Sequence, residues 1–119
     1  MENKIIETAV KALDSKKAKD IRVLKIEELT SLTSYFVICN GSSSTQVKAL
    51  ADECEYQMEK AGFALHHREG VAEGGWILLD YTEAVIHIYN REMRAFYDLE
   101  RFWKDGTVVD ISEILEEKK

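Results

Sequence analysis

Two rhythms of apolar positions alternate along this 119-residue chain, one with the helical period of about 3.6 and one with the strand period of two. Ile6, Ala9, Val10 and Leu13 recur at helical spacing and predict a first amphipathic helix over residues 3–16. Residues 20–27, with Ile21, Val23, Leu24 and Ile26, are β-prone and read as a strand. Tyr35-Phe36-Val37-Ile38-Cys39 is an unbroken apolar run closed by Asn40-Gly41, the pattern of a central strand buried on both faces. The clearest helix follows, with Val47, Leu50, Ala51, Cys54, Met58 and Ala61 along one stripe. Ser43 and Gln46 form a capping box at its start, and Gly62 provides the stop. Residues 63–67 read as a short strand and residues 69–75 as a loop. Ala95, Phe96, Leu99, Phe102 and Trp103 form a second apolar helix face, closed by Asp105-Gly106. Val108-Val109-Asp110-Ile111 and a short helical pattern around Ile114-Leu115 complete the chain before its charged end. Interleaved strands and helices predict an α+β fold, a central mixed sheet packed by helices.

The segment from Gly75 to Tyr89 carries the most information, because it reads as a hairpin whose two faces differ. With Thr82 and Glu83 as a two-residue loop, Tyr81 lies opposite Ala84, Leu79 opposite Ile86, and Ile77 opposite Ile88. One face then carries Ile77, Leu79, Ala84, Ile86 and Ile88, which is core material. The other carries Trp76, Leu78, Asp80, Val85, His87 and Tyr89, large rings with polar tips of the kind enriched at protein–protein contacts. The competing reading is a second layer of helices over this face, with its polar tips satisfied internally.

Composition changes the picture in three ways. No proline, repeat or low-complexity tract marks a boundary, so the chain is expected to be a single domain over residues 1–119. Sixteen Lys and Arg against 22 Asp and Glu leave a net charge of −6, which argues against broad nucleic-acid binding and favours a basic partner. Cys39 and Cys54 both sit in apolar patterns and are expected to be reduced, buried and structural. No apolar run approaches a membrane span, and Met1-Glu2-Asn3-Lys4-Ile5 has no signal-peptide character, so a bacterial cytoplasm is the expected location.

Catalytic signals are weak. Gly41-Ser42-Ser43-Ser44-Thr45 between a buried strand and a helix start could hold phosphate, yet the lysine of a Walker-type loop is missing. Nucleotidyl transfer would need two or three carboxylates around magnesium, and the hairpin supplies Asp80 alone, with Leu78 where a second would stand. His66, His67 and His87 lack companions at zinc spacing, and Cys39 lacks a nearby base. Arg91, Arg94, Asp98 and Arg101 read as a solvated helix face. No catalytic residue, metal or cofactor is expected.

The motifs Ser34-Tyr35-Phe36-Val37-Ile38-Cys39-Asn40-Gly41-Ser42-Ser43, Gly75-Trp76-Ile77-Leu78-Leu79-Asp80-Tyr81 to His87-Ile88-Tyr89, and Phe96-Tyr97-Asp98-Leu99-Glu100-Arg101-Phe102-Trp103 occur in an order that resembles the ribosomal silencing factor S, or Iojap-related, family over about residues 4–112. Ser34 replaces the family's usual Asp, and Thr82-Glu83 replaces a Gly-Asp turn suited to positive φ. The resemblance implies a nucleotidyltransferase-like fold without catalytic carboxylates. It also implies binding to the fourteenth protein of the large ribosomal subunit on the face that meets the small subunit, blocking of subunit joining when nutrients are scarce, and a homodimer when free.

On this reading the protein is a translational repressor, with a partner site at Trp76, Leu78, Asp80, Tyr81, His87 and Tyr89. Trp76 is the expected anchor, Asp80 the carboxylate offered to a Lys or Arg, Tyr81 and Tyr89 the frame, and His87 a hydrogen-bonding member. Its partner is the large subunit through a basic ribosomal protein, with no specific nucleic-acid contact and no membrane. The alternatives are a nucleotide-binding or nucleotidyl-transferring enzyme built on Gly41-Ser42-Ser43 with Asp80, and a plain dimerisation module in which Trp76 and Tyr89 meet a second copy.

Overall fold

A computed structural model describes residues 3–27, 33–97 and 106–116. Helix α1 (Lys4–Ser15) starts at Asn3, whose side chain accepts from the N–H groups of Ile5 and Ile6 at 3.1 and 3.2 Å. It ends in a Schellman motif: the Lys17 N–H donates to Asp14 O and the Ala18 N–H to Leu13 O. Helix α2 (Ser44–Lys60) starts at Ser43, whose hydroxyl accepts from the Gln46 N–H at 3.1 Å. It ends in the same motif, with Gly62 at φ +91° in the left-handed position. In α1 that position is held by Lys17 at φ +63°, where a side chain costs energy that glycine avoids.

Strands β1 (Lys19–Lys25), β2 (Tyr35–Gly41), β3 (His67–Glu69), β4 (Trp76–Asp80), β5 (Ala84–Asn90) and β6 (Thr107–Val109) form one sheet in the order β3-β4-β5-β2-β1-β6. Only the β2–β5 pair is parallel, so the mixed α+β architecture read from the sequence is the one observed. Central β2 is buried from Val37 to Gly41, as its unbroken apolar run requires. Helices α1 and α2 pack side by side over one face of the sheet, on Val23, Val37, Cys39, Ile77, Leu79, Ile86 and Ile88. Helix α4 (Ser112–Glu116) adds Ile114 to this core.

Several boundaries differ from the sequence expectation. Strand β1 starts one residue earlier and stops before Ile26, and a register shift between Lys19 and Arg22 with a positive φ at Asp20 interrupts the ladder near its start. The short strand expected at 63–67 forms at 67–69 instead. Phe63 and Leu65 are spent on the core, and pairing with β4 begins where His67 meets Asp80. Helix α3 (Arg91–Tyr97) begins directly at the end of β5, where Asn90 Oδ1 accepts from the Met93 N–H at 2.8 Å. The expected apolar positions Leu99, Phe102 and Trp103 lie outside the described residues.

Gln46 ties the α1–β1 turn to α2. Its Oε1 accepts from the Ser42 backbone and hydroxyl, and its Nε2 donates to Lys16 O and Lys17 O at 3.1 and 3.2 Å. Gln46→Ala removes all of these contacts from a part-exposed site, so an unfolding free energy lower by about 1 kcal/mol is expected in denaturant titration.

Candidate functional site

The predicted hairpin register holds at every pair. Ile77 lies opposite Ile88, Leu79 opposite Ile86, and the Tyr81 N–H donates to Ala84 O at 2.9 Å. The turn is tighter than a primed two-residue turn. The Glu83 N–H donates to Tyr81 O at 2.8 Å across Thr82, which sits at φ +70°. Asp80 makes this conformation tolerable: its Oδ1 accepts from the Thr82 N–H at 2.8 Å. One carboxylate oxygen is therefore committed to the fold.

Strict alternation places Trp76, Leu78 and Asp80 of β4 on the sheet face away from α1 and α2, with Val85, His87 and Tyr89 of β5 and Phe36 and Ile38 of β2. Four rings tile this face. The Phe36 ring meets His87 edge-on with centroids 4.9 Å apart, and His87 lies nearly parallel to Tyr89 at 6.0 Å. Trp76 stands 6.4 Å from Tyr89 and 6.5 Å from His87. Exposure grades across the patch. Trp76, Leu78, Asp80 and Val85 are half-buried, whereas His87 and Tyr89 are buried at 6% and 3%. Met93 of α3 packs on the inner edge, against the cluster of Leu24, Ile26, Ile38 and Tyr89. Gly75 permits that approach, because a Cβ there would lie 2.5 Å from Asn90 Nδ2 and 2.7 Å from Met93 Cγ.

Five of the six predicted site residues thus share a face, and Tyr81 does not. It follows Ile77 and Leu79 in the alternation and is buried on the helix side, lining a cleft of about 470 Å³ with Glu55, Glu59, Phe63 and Leu65. It cannot frame a patch centred on Trp76. Burial raises its phenol pKa well above the usual value. His87 also departs from expectation, since among the described residues neither ring nitrogen has a hydrogen-bond partner, and neither does Trp76 Nε1. Burial without a partner pushes the His87 pKa down to about 4, so the ring is neutral at neutral pH.

The alternative phosphate loop is occupied by capping contacts, with the Ser43 hydroxyl and Gln46 holding the start of α2. Among the described residues, no group of three or more His, Cys, Asp or Glu could hold a metal ion. Cys39 and Cys54 are free and buried, and burial pushes the Cys39 thiol up to about 12. Arg94 is not part of a merely solvated face: its Nη1 donates to Asp20 O at 2.6 Å and Asn40 Oδ1 at 2.8 Å. Nothing in the local sequence signals that clamp, because its acceptors lie 54 and 74 residues away.

The family model described as "Ribosomal silencing factor during starvation" matches residues 2–119. The chain belongs to the ribosomal silencing factor family. It is 36% identical over 107 residues to the Bacillus subtilis ribosomal silencing factor RsfS, covering 90% of this chain and 91% of the relative. Similarity extends to the chloroplastic protein Iojap of Zea mays, 34% identical over 85% of this chain but only 44% of the relative. The crystal structure of a Chromobacterium violaceum protein, 36% identical, superposes with a TM-score of 0.81 over 84% of this chain and 83% of that one.

Proposed function

We propose that this protein represses translation by docking the Trp76 face on a basic protein of the large ribosomal subunit, the fourteenth, on the intersubunit side, and so obstructing subunit joining. The observation that carries the reading is the graded aromatic face. Trp76 and Leu78 offer accessible apolar area, and the Asp80 Oδ2 has no hydrogen bond among the described residues. Docking would be steric and would need no cofactor. A net charge of −6 suits a basic partner. The protein would act in the bacterial cytoplasm, and the free form would be a homodimer.

Purified subunits mixed with this protein are expected to join less, in proportion to the amount added and without any nucleotide. Unchanged joining at saturating protein would sink the proposal, and a strict requirement for ATP would revive the enzyme reading. Asp80→Asn keeps an oxygen for the Thr82 N–H and removes only the charge. If Asp80 meets a cation on docking, the dissociation rate should rise roughly thirtyfold, about 2 kcal/mol, measured by surface-immobilised binding. A wild-type rate would assign Asp80 to the turn alone.

A further inference from the structure

The described cations of this acidic chain are mostly engaged. Lys11, Lys25, Lys48 and Arg68 pair with carboxylates, and Lys60 sits 5.2 Å from the Tyr56 ring. Of the exposed cations with no ion pair or ring contact among the described residues, Lys4 stands apart at the start of α1, whereas the fold gathers the other four, Lys16, Lys17, Lys19 and Arg91, at one corner. Three contacts show the gathering. Gln46 binds the carbonyls of Lys16 and Lys17 at the start of α2. Lys19 and Arg91 line one cleft of about 340 Å³, together with Asp20, Asn40 and Ser42. Arg94 bridges the β1 bulge to β2 beside it.

With 22 acids in the chain, four exposed cations gathered around the single carboxylate of Asp20, and ion-paired with no acid among the described residues, repel one another and gain little for the fold. Lys17 sharpens the point. It occupies the left-handed position of a Schellman motif that α2 fills with Gly62, so a charged side chain stands where the backbone favours glycine. The cations are also too dispersed for one compact anion. Two lie outside the cleft, and Asp20 places a carboxylate inside it. That distribution fits a chain of singly charged phosphodiesters.

We infer that Lys16, Lys17, Lys19 and Arg91 form a contact for the RNA phosphate backbone, which the protein uses beside its protein-binding face when it sits on the large subunit. The inference rests on the ribosome-docking reading above. It concerns backbone charge at one corner and carries no base specificity, and the net charge of −6 argues against broad nucleic-acid binding but not against a local contact of this size.

The test compares wild type with a variant combining Lys16→Gln, Lys17→Gly, Lys19→Gln and Arg91→Gln, titrated against purified large subunits at several potassium chloride concentrations. Four lost phosphate contacts should flatten the dependence of log affinity on log salt by about three. Between 50 and 200 mM salt the wild type should then lose roughly sixtyfold more affinity than the variant. A control variant, Lys4→Gln, Lys11→Gln, Lys25→Gln and Lys60→Gln, removes the same four charges elsewhere and should keep the wild-type slope. Lys17→Gly alone should raise the melting temperature while weakening subunit binding, a split that a structural role would not produce. A corner variant with the wild-type slope, or a control variant that flattens equally, would overturn the inference. The two readings fail separately. Loss of binding in Trp76→Ala with a normal corner variant removes only the RNA contact, whereas the reverse result removes only the aromatic anchor. Adenosine triphosphate or inorganic phosphate at millimolar concentration should not compete with subunits, and competition by either would reassign the corner to a small anion.

Discussion

Trp76→Ala should weaken binding to large ribosomal subunits roughly thirtyfold, about 2 kcal/mol, the usual cost of truncating an aromatic anchor at the centre of an interface. The magnitude follows from its position. Trp76 is half-buried beside Leu78 and backed by the closed rings of His87 and Tyr89, so its ring is held in place before any partner arrives. Because Trp76 also packs against the cluster around Ile38 and Tyr89, the variant must be shown to melt cooperatively and retain its circular dichroism. Trp76→Phe separates two contributions. It keeps most of the apolar area and deletes the indole N–H, which has no partner among the described residues. A small loss for Phe beside a large one for Ala would mark an apolar anchor. Equal losses would mean that the smaller Phe ring cannot reproduce the contacts of the indole. Wild-type affinity for both would remove Trp76 from the site.

The second large effect is on stability in acid. His87 is held neutral, its pKa depressed from 6.5 to about 4 by burial. Between those values the unfolded chain binds a proton that the folded chain does not, so stability is complete above pH 6.5 and falls as the solution is acidified towards pH 4. The loss approaches about 3 kcal/mol at the lower end and is about 2 kcal/mol near pH 5. Urea titrations from pH 7.5 to 4 would measure it. His87→Leu should flatten this window and be no less stable than wild type at pH 7, because it replaces two buried nitrogens that have no partner among the described residues with apolar surface. The carboxylates held low, Glu7, Asp52 and Asp110, act in the same direction but below their ordinary values near 4, so the two contributions separate on the pH axis. A wild-type profile flat from pH 7 to 5 would show that His87 gains a partner or becomes solvated.

How much of the site was legible in the sequence depends on whether each feature is local. Register and facing of the hairpin were legible, because alternation and loop length decide them within fifteen residues. The same parity that set Trp76, Leu78 and Asp80 on one face also set Tyr81 on the other, with Ile77 and Leu79. Placing Tyr81 at the patch came from its chemical type, and the structure follows its position. The strained turn was legible only as a conflict between Thr82 and positive φ. Its resolution by Asp80 required the turn geometry itself.

By itself the sequence determined the order of the main helices and strands, though not every boundary, where α2 is capped, which hairpin face is aliphatic, and that the chain is acidic overall. These follow from periods of two and 3.6 and from side-chain chemistry within one or two turns. The tertiary structure alone decided that β2 lies parallel to β5, a pairing of residues about fifty apart with no local signal. It also decided that His87 and Tyr89 are closed over while Trp76 remains reachable, and that Arg94 clamps the β1 bulge. Net charge, a sum over the chain, concealed a local cluster. Lys16, Lys17, Lys19 and Arg91 become neighbours only when α1, β1 and α3 meet at one end of the sheet, because potential depends on distance in space and not on distance along the chain.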